Sequence, residues 1–291
     1  MISAIPSALL QEIETQTGSS ITNFSFSSGG CINKGGWLST SNGPYFLKWN
    51  DQKKFPGMFA AEARGLSLLH ASDSVKVPRV ILTGAAGGFQ FLLLEYIEEA
   101  RKISEYWQKL GIGLASLHKN TASQFGLDHD NYVGSLPQNN ERSSSWVEFF
   151  VSQRLQVQLQ RANDQGKIDK SLLKKFDSLF AKLPLLFPEE IPSLLHGDLW
   201  GGNIMTTSRA EPCLIDPAVY YGHREADLAM TQLFGGFDPS FMDGYREMFP
   251  LHPGFNGRFD LYNLYPLLVH LNLFGGGYSG QVVSIVNRFV V

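Results

Sequence analysis

Cysteine is scarce in this 291-residue chain: only Cys31 and Cys213 occur, with no Cys-x-x-Cys pair and no Cys/His ligand spacing. Neither a disulfide framework nor a zinc site is supported, and a reducing, cytoplasmic setting is expected. Long hydrophobic runs are also missing. The nearly unbroken apolar stretches 91–94 and 264–273 fall short of the roughly 20 residues that span a bilayer, so no membrane partner is expected. The first ten residues, Met-Ile-Ser-Ala-Ile-Pro-Ser-Ala-Leu-Leu, lack a positive start and a long apolar core, which argues against a secretory signal. Charge of one sign does not accumulate: 24 Lys+Arg stand against 27 Asp+Glu, a formal net charge of −3, with no basic block. That excludes a nucleic-acid binder working through phosphate neutralisation. No repeat of fixed period is present.

What the chain does have is core-forming material, 43% hydrophobic against 18% charged residues. At roughly 150 residues per domain, the length allows one large domain or two small lobes. Residues 6–17 read as a short helix with Ser7 able to cap it and Leu9, Leu10 and Ile13 on one face. From 21 to 49 the texture changes to short alternating runs, 21–27, 35–39 and 45–49, punctuated by Gly29-Gly30, Gly35-Gly36 and the hairpin signal Asn42-Gly43. A helical pattern covers 58–70, and two more strands, 77–82 and 89–97, flank a Gly-rich turn at 84–88. Residues 1–97 therefore read as an antiparallel sheet with one helix inserted after its third strand. Residues 98–291 are mostly helical, with amphipathic helices at 103–118, 146–162 and 171–183. The polar stretch 119–145 is too long for an ordinary connection, and loops of that length are often functional. The break at 98–102 is the expected lobe boundary, and two lobes joined by one strap make a cleft, the default place for a ligand.

The most informative segment is Leu194-Leu195-His196-Gly197-Asp198-Leu199-Trp200-Gly201-Gly202-Asn203, followed by Cys213-Leu214-Ile215-Asp216-Pro217. An Asp, an Asn five residues on and a second Asp ending a short apolar strand match the needs of phosphoryl transfer. One carboxylate must accept or orient the proton of an attacking hydroxyl. A neutral oxygen and a second carboxylate must hold Mg²⁺ against the nucleotide phosphates. The spacing is that of the kinase catalytic loop, although Asp-x4-Asn by itself also fits a polar turn between strands. A phosphate anchor is expected upstream. Lys48 interrupts the apolar strand Tyr45-Phe46-Leu47-Lys48-Trp49, and Glu62 sits among small and apolar residues of the next helix. A charge left unpaired in such a setting is costly, so the two are expected to pair. Gly29 and Gly30 fall between the first two strands, where backbone amides can approach a phosphate closely. Glu95, Tyr96 and Ile97 end the last sheet strand at the strap, where backbone groups can meet an adenine; an ordinary strand end is the alternative.

These residues resemble the fructosamine/ketosamine 3-kinase family, within the aminoglycoside and choline kinase-like branch of the protein-kinase fold. The resemblance covers nearly the whole chain. Its most specific parts are 196–203 and the segment from Asp216-Pro217-Ala218-Val219 to Glu225-Ala226-Asp227-Leu228-Ala229, with support from 125–134 and 270–278. It implies an α+β, two-lobe, protein-kinase-like fold and ATP-dependent phosphorylation of the 3-hydroxyl of a ketosamine, on a small molecule or a glycated protein lysine. The 3-phosphate then decomposes and frees the amine. By position, the resemblance makes Asp198 the base, Asn203 and Asp216 the Mg²⁺ ligands, Lys48 with Glu62 the holders of the α/β-phosphates, and Asp227 a brace for the catalytic loop through its backbone amides. Trp200 is expected to stack on a sugar face, with a core tryptophan as the plainer alternative. His270 and Asp130, with Asn131 beside it, are candidates for the substrate side, against the alternatives of a satisfied core histidine and an ordinary loop. Cys31, in the presumed phosphate loop, is a candidate redox site, an inert thiol being the alternative. Ile215-Asp216-Pro217 lacks the Phe-Gly of protein kinases, and no Ala-Pro-Glu follows. Activation-loop switching is therefore not expected, and a small-molecule or modified-amine acceptor fits better than a peptide. Two other functions remain open from sequence: a kinase of the same fold acting on an aminoglycoside- or choline-like hydroxyl, and a non-catalytic nucleotide-binding module. The latter would be expected to have lost Lys48, Asp198, Asn203 or Asp216.

Overall fold

The computed structural model describes residues 2–27 and 33–290. Gly29, Gly30 and Cys31 lie outside the described residues. The chain forms two compact units, 1–106 with 204–217 and 107–203 with 218–291.

The first unit is built on an antiparallel sheet. After helix α1 (Ser7–Thr17) come β1 (Ile21–Phe26), β2 (Lys34–Thr40) and β3 (Gly43–Asp51), then helix α2 (Met58–Ala71), then β4 (Val80–Ala86) and β5 (Phe89–Glu95). The strand order is β1-β2-β3-β5-β4. Alternation along each strand sorts side chains between faces. Leu47 and Trp49 of β3 join Phe24, Leu38, Phe91 and Leu93 under Leu9 and Ile13, the apolar side of α1, and Ile5 just before it. Lys48 consequently points to the opposite face, where it meets α2. The tight turn after β4 falls at Gly87-Gly88, later than the sequence suggests, because Gly84 is a strand residue. A Cβ there would sit 2.9 Å from the Phe91 ring, so that glycine serves cross-strand packing rather than a turn.

The second unit is mainly helical. It contains α3 (Tyr106–His118), the hairpin β6 (Asn131–Val133) and β7 (Leu136–Gln138), and α4 (Trp146–Phe149) running through a π-helical turn, Phe150–Leu155, into α5 (Gln156–Asp164). Next are α6 (Lys170–Leu186), capped by the Asp169 carboxylate on the Leu172 N–H, and β8 (Ser193–Leu195). The chain then enters the first unit for β9 (Ile204–Thr206) and β10 (Pro212–Leu214) and returns for β11 (Tyr220–Gly222), α7 (Glu225–Leu233), α8 (Pro239–Met248), α9 (Phe255–Phe274) and α10 (Ser279–Val290). α9 is buried along most of its length, as a helix without a polar face must be. β8 and β11 pair antiparallel, Leu195 opposite Tyr220, and the segment 196–203 leaves from the end of this ladder.

Candidate active site

In the first unit a cationic anchor is assembled from three elements. Lys48 Nζ donates to Glu62 Oε1 at 2.7 Å and to Asp216 Oδ1 at 3.0 Å. Lys48 comes from β3 and Glu62 from α2; Asp216 arrives at the end of the 204–217 excursion, just after β10. Burial alone would lower the pKa of Lys48, but the charges of Asp216 and Glu62 outweigh it and raise it above its ordinary value. Glu62 is buried, which pushes its carboxyl up against the pull of Lys48. Asp216 is half-exposed, at 49% of its side chain, and adopts φ +53°. That left-handed conformation is uncommon outside glycine and better tolerated by Asp than by most residues.

In the second unit the turn 196–198 is held from two sides. Asp227, buried at the start of α7, accepts from the N–H of His196 at 2.7 Å with one oxygen and from that of Gly197 at 2.9 Å with the other. Burial would raise its pKa, but His118, His196 and the Gly197 amide hold it below the usual carboxylate range. His118 lies between Asp227, 3.2 Å from Nε2, and the Tyr245 hydroxyl, 2.8 Å from Nδ1. Since the carboxylate accepts, His118 Nε2–H is the donor of that bond. On the other side, Ala218 N–H donates to the His196 carbonyl at 2.9 Å. Gly197 has φ +82°, and a Cβ there would lie 2.1 Å from the Ala218 carbonyl oxygen. Only glycine fits between these supports.

Asp198 and Asn203 are bonded to each other: Asn203 Nδ2 donates to the Asp198 carbonyl at 2.8 Å and to its Oδ2 at 2.9 Å. With the nitrogen committed, the amide oxygen of Asn203 is the atom left to face a cation. Asp216 likewise keeps Oδ2 beyond the Lys48 contact. Amide and carboxylate oxygens are hard donors that suit Mg²⁺.

The remaining expected residues fall into three groups. Glu95 is engaged with Lys76 at 3.1 Å and Arg79 at 3.4 Å, and its N–H donates to the Arg79 carbonyl. Tyr96 is half-buried with its ring 5.9 Å from that of Trp37, and Ile97 is buried. Trp200 is 39% exposed, and its indole lies over Gly202, whose Cβ would come within 2.2 Å of it. It meets Phe234 edge-on at 5.9 Å, and Phe234 in turn meets His270 at 4.8 Å. His270 donates from Nδ1 to the Pro266 carbonyl at 2.8 Å, and burial lowers its pKa. His270, Asp198, Gly197, Asp227 and Tyr265 line one cavity. Asp130 is exposed and accepts from the Asn140 N–H at 2.8 Å, whereas Asn131 is buried and bonded to the Val219 carbonyl. Sequence reasoning misses His118, Tyr245, Gln138, Asn140 and Arg154, all of which act on or beside the turn.

A profile of the fructosamine kinase family matches residues 4–291. A candidate ketoamine kinase from Synechocystis sp. is 41% identical over 265 residues, spanning 90% of this chain and 88% of that protein. The ketosamine-3-kinase of Mus musculus is 36% identical over 298 residues, spanning 93% of this chain and 96% of its own. Among solved structures, a candidate fructosamine-3-kinase from Thermobifida fusca YX-ER1 matches with a TM-score of 0.87 at 33% identity, over 97% of this chain and 98% of that one. An aminoglycoside phosphotransferase, at 16% identity and a TM-score of 0.66, shares the fold alone.

Proposed function

The chain belongs to the fructosamine kinase family, and from that premise we propose that it uses ATP to phosphorylate the 3-hydroxyl of a ketosamine, with Asp198 as the base. The observation that carries the reading is the lysine anchor: Lys48 held between Glu62 and Asp216 presents a fixed positive charge to a triphosphate. The nucleotide half comprises Lys48, Glu62 and the strap 95–97; because the Glu95 N–H is already used on Arg79, Tyr96 and Ile97 are left to meet the adenine. Gly29 and Gly30, outside the described residues, are proposed as its phosphate loop. Asn203 and Asp216 would hold Mg²⁺ through their free oxygens. When bound, that ion neutralises charge on the phosphates.

Asp198 accepts the proton of the acceptor hydroxyl as its oxygen bonds to the terminal phosphorus. The bond from that phosphorus to the ADP oxygen breaks, and ADP leaves with the electron pair. Asp227 keeps the turn in place without touching substrate. Trp200 offers an exposed indole face to the sugar, with Phe234 and His270 behind it. The acceptor is a ketosamine on a small molecule or on a protein lysine; the exposed setting of Trp200 accommodates both.

A coupled ADP-release assay against ribulosamine, fructosamine, kanamycin and choline tests the reading. Turnover is expected with the first two alone, and turnover confined to kanamycin or choline would overturn it. Asp198→Asn is expected to lower kcat by about 10²–10⁴-fold with ATP affinity retained, whereas Asp216→Ala weakens Mg-ATP binding itself. Near wild-type turnover in Asp198→Asn would remove the base assignment.

A further inference from the structure

The polar stretch 119–145 is too long for an ordinary connection, and within it Asn131, Gln138 and Asn140 are buried at 6%, 1% and 1% exposure. Their side chains form one connected chain of hydrogen bonds that begins at Arg154 and ends on the backbone beside the catalytic turn. Arg154 is fully buried in the π-helical turn, Phe150–Leu155. Among the described residues its charge faces the rings of Tyr220 at 4.1 Å, Phe149 at 4.6 Å and Tyr265 at 5.4 Å rather than a carboxylate. Nη2 donates to Asn140 Oδ1 at 2.7 Å, and Nη1 donates to the Asn139 and Gln153 carbonyls.

Guanidinium can only donate. That single fact sets the orientation of every amide downstream. Asn140 must turn its oxygen to Arg154, so its Nδ2 faces Asn131 Oδ1 at 3.1 Å. Asn131 must then turn its Nδ2 the other way, to the Val219 carbonyl at 2.8 Å. Gln138 has its oxygen occupied by the Tyr265 hydroxyl at 2.7 Å, so its Nε2 donates to Asn131 Oδ1 at 2.8 Å and to the Ala218 carbonyl at 3.1 Å. The Ala218 carbonyl is the atom that crowds Gly197, and the Ala218 N–H holds the His196 carbonyl. Asp227 thus grips the N–H side of the turn, and the amide chain fixes the residue that grips its carbonyl side.

We propose that Arg154, Asn140, Asn131 and Gln138 form a directional amide clamp that positions the turn 196–198, making the 119–145 loop a positioning element for phosphoryl transfer. The proposal rests on Asp198 acting as the base. A buried polar network whose members are mutually satisfied rigidifies and fixes one arrangement, and a base misplaced by about 1 Å can cost about 10²-fold in rate. Arg154 is kept at a cost, because its buried Nε has no acceptor among the described residues.

Gln138→Glu preserves shape but replaces the donor to the Ala218 carbonyl with a carboxylate oxygen. It is expected to lower kcat about tenfold to 10²-fold at neutral pH with the KM for ATP unchanged. As the pH falls and the introduced carboxyl takes up a proton, the donor returns and the deficit relative to wild type, measured over the same range, should shrink. Gln138→Met should show the deficit without the recovery. Should either fail to fold, Tyr265→Phe removes only the hydroxyl that orients Gln138 and is expected to lower kcat a few-fold without moving the KM for ATP. Wild-type kcat in the folded variants, or a deficit in Gln138→Glu that does not respond to pH, would overturn the clamp. Asp198→Asn, assayed alongside, separates the two ideas: if it is inactive while the clamp variants are fully active, the clamp alone fails.

Discussion

Lys48 pairs with Glu62 and Asp216 through the nitrogen proposed to hold the triphosphate, and the two roles can be separated. Its raised pKa means that its ion pairs contribute fully below about pH 10, the ordinary range of a lysine, and are lost only above that, so they are intact at any physiological pH. Lys48→Met leaves Glu62 buried without a cation, which is expected to cost about 3 kcal/mol of stability. Adding Glu62→Gln removes the stranded carboxyl and should recover most of the melting temperature. Nucleotide binding, measured by titration calorimetry, should stay lost in both. ATP affinity equal to wild type in the double variant would show that Lys48 is no phosphate anchor. Lys48 and Glu62 are legible in the sequence because each is a lone charge in an apolar run, and Asp198, Asn203 and Asp216 because their spacing is tied to one turn and one strand end. Gln138 and Arg154 are not, and Asn131 stands out there only as a candidate for the substrate side, not as a buried amide under the turn. Their burial depends on Ala218 and Val219, 80 and 88 positions from Gln138 and Asn131, and short-range patterning carries no trace of that.

At the scale of elements, the link from β11 to α7 is two residues, His223 and Arg224, and both are buried. His223 is packed against Trp146, Phe187 and Tyr262. Its pKa is lowered to about 4 by burial, reinforced by Arg224 and Arg258 and opposed by Glu190. The unfolded chain takes up this proton near pH 6.5 and the folded chain does not. Stability supplied by the neutral ring is therefore full above pH 6.5 and falls as the pH drops towards 4, by up to about 3 kcal/mol. His223→Gln is expected to flatten the decline between pH 7 and 4.5 in urea-unfolding free energies. Parallel profiles for the two proteins would rule this histidine out as the source. The elements of 1–106 are readable from alternation and turn residues, with Gly84 as the exception already described. Much of the rest is not: α9 has no separate polar face and gives no amphipathic stripe, β8 to β11 are three residues each, and the π-helical turn, Phe150–Leu155, has no sequence period of its own.

For the molecule as a whole, the telling feature is that the first unit is made from two separated pieces of chain. Residues 204–217 supply it with β9, β10 and Asp216. Leu214 N–H donates to the Lys76 carbonyl, Ala100 N–H to the Thr206 carbonyl, and the Tyr106 hydroxyl to the Met205 carbonyl. Cys213 and Leu214 are fully buried there. A fragment ending at residue 106 would keep its sheet but strand these groups and lose one of the two carboxylates on Lys48. Without 204–217 the burial of Cys213 and Leu214 is lost, and one fully buried Leu side chain alone contributes about 1.5–3 kcal/mol, a large share of the stability of a domain this size. The fragment 1–106 is therefore expected to unfold at a distinctly lower urea concentration than the same fragment carrying 204–217 on a flexible linker. Asp216→Ala in the linked form should weaken its binding of Mg-ATP and leave most of the gained stability, since the buried hairpin remains. Equal midpoints with and without 204–217 would mean that the excursion adds no stability and that its place in the unit serves only to deliver Asp216 to Lys48.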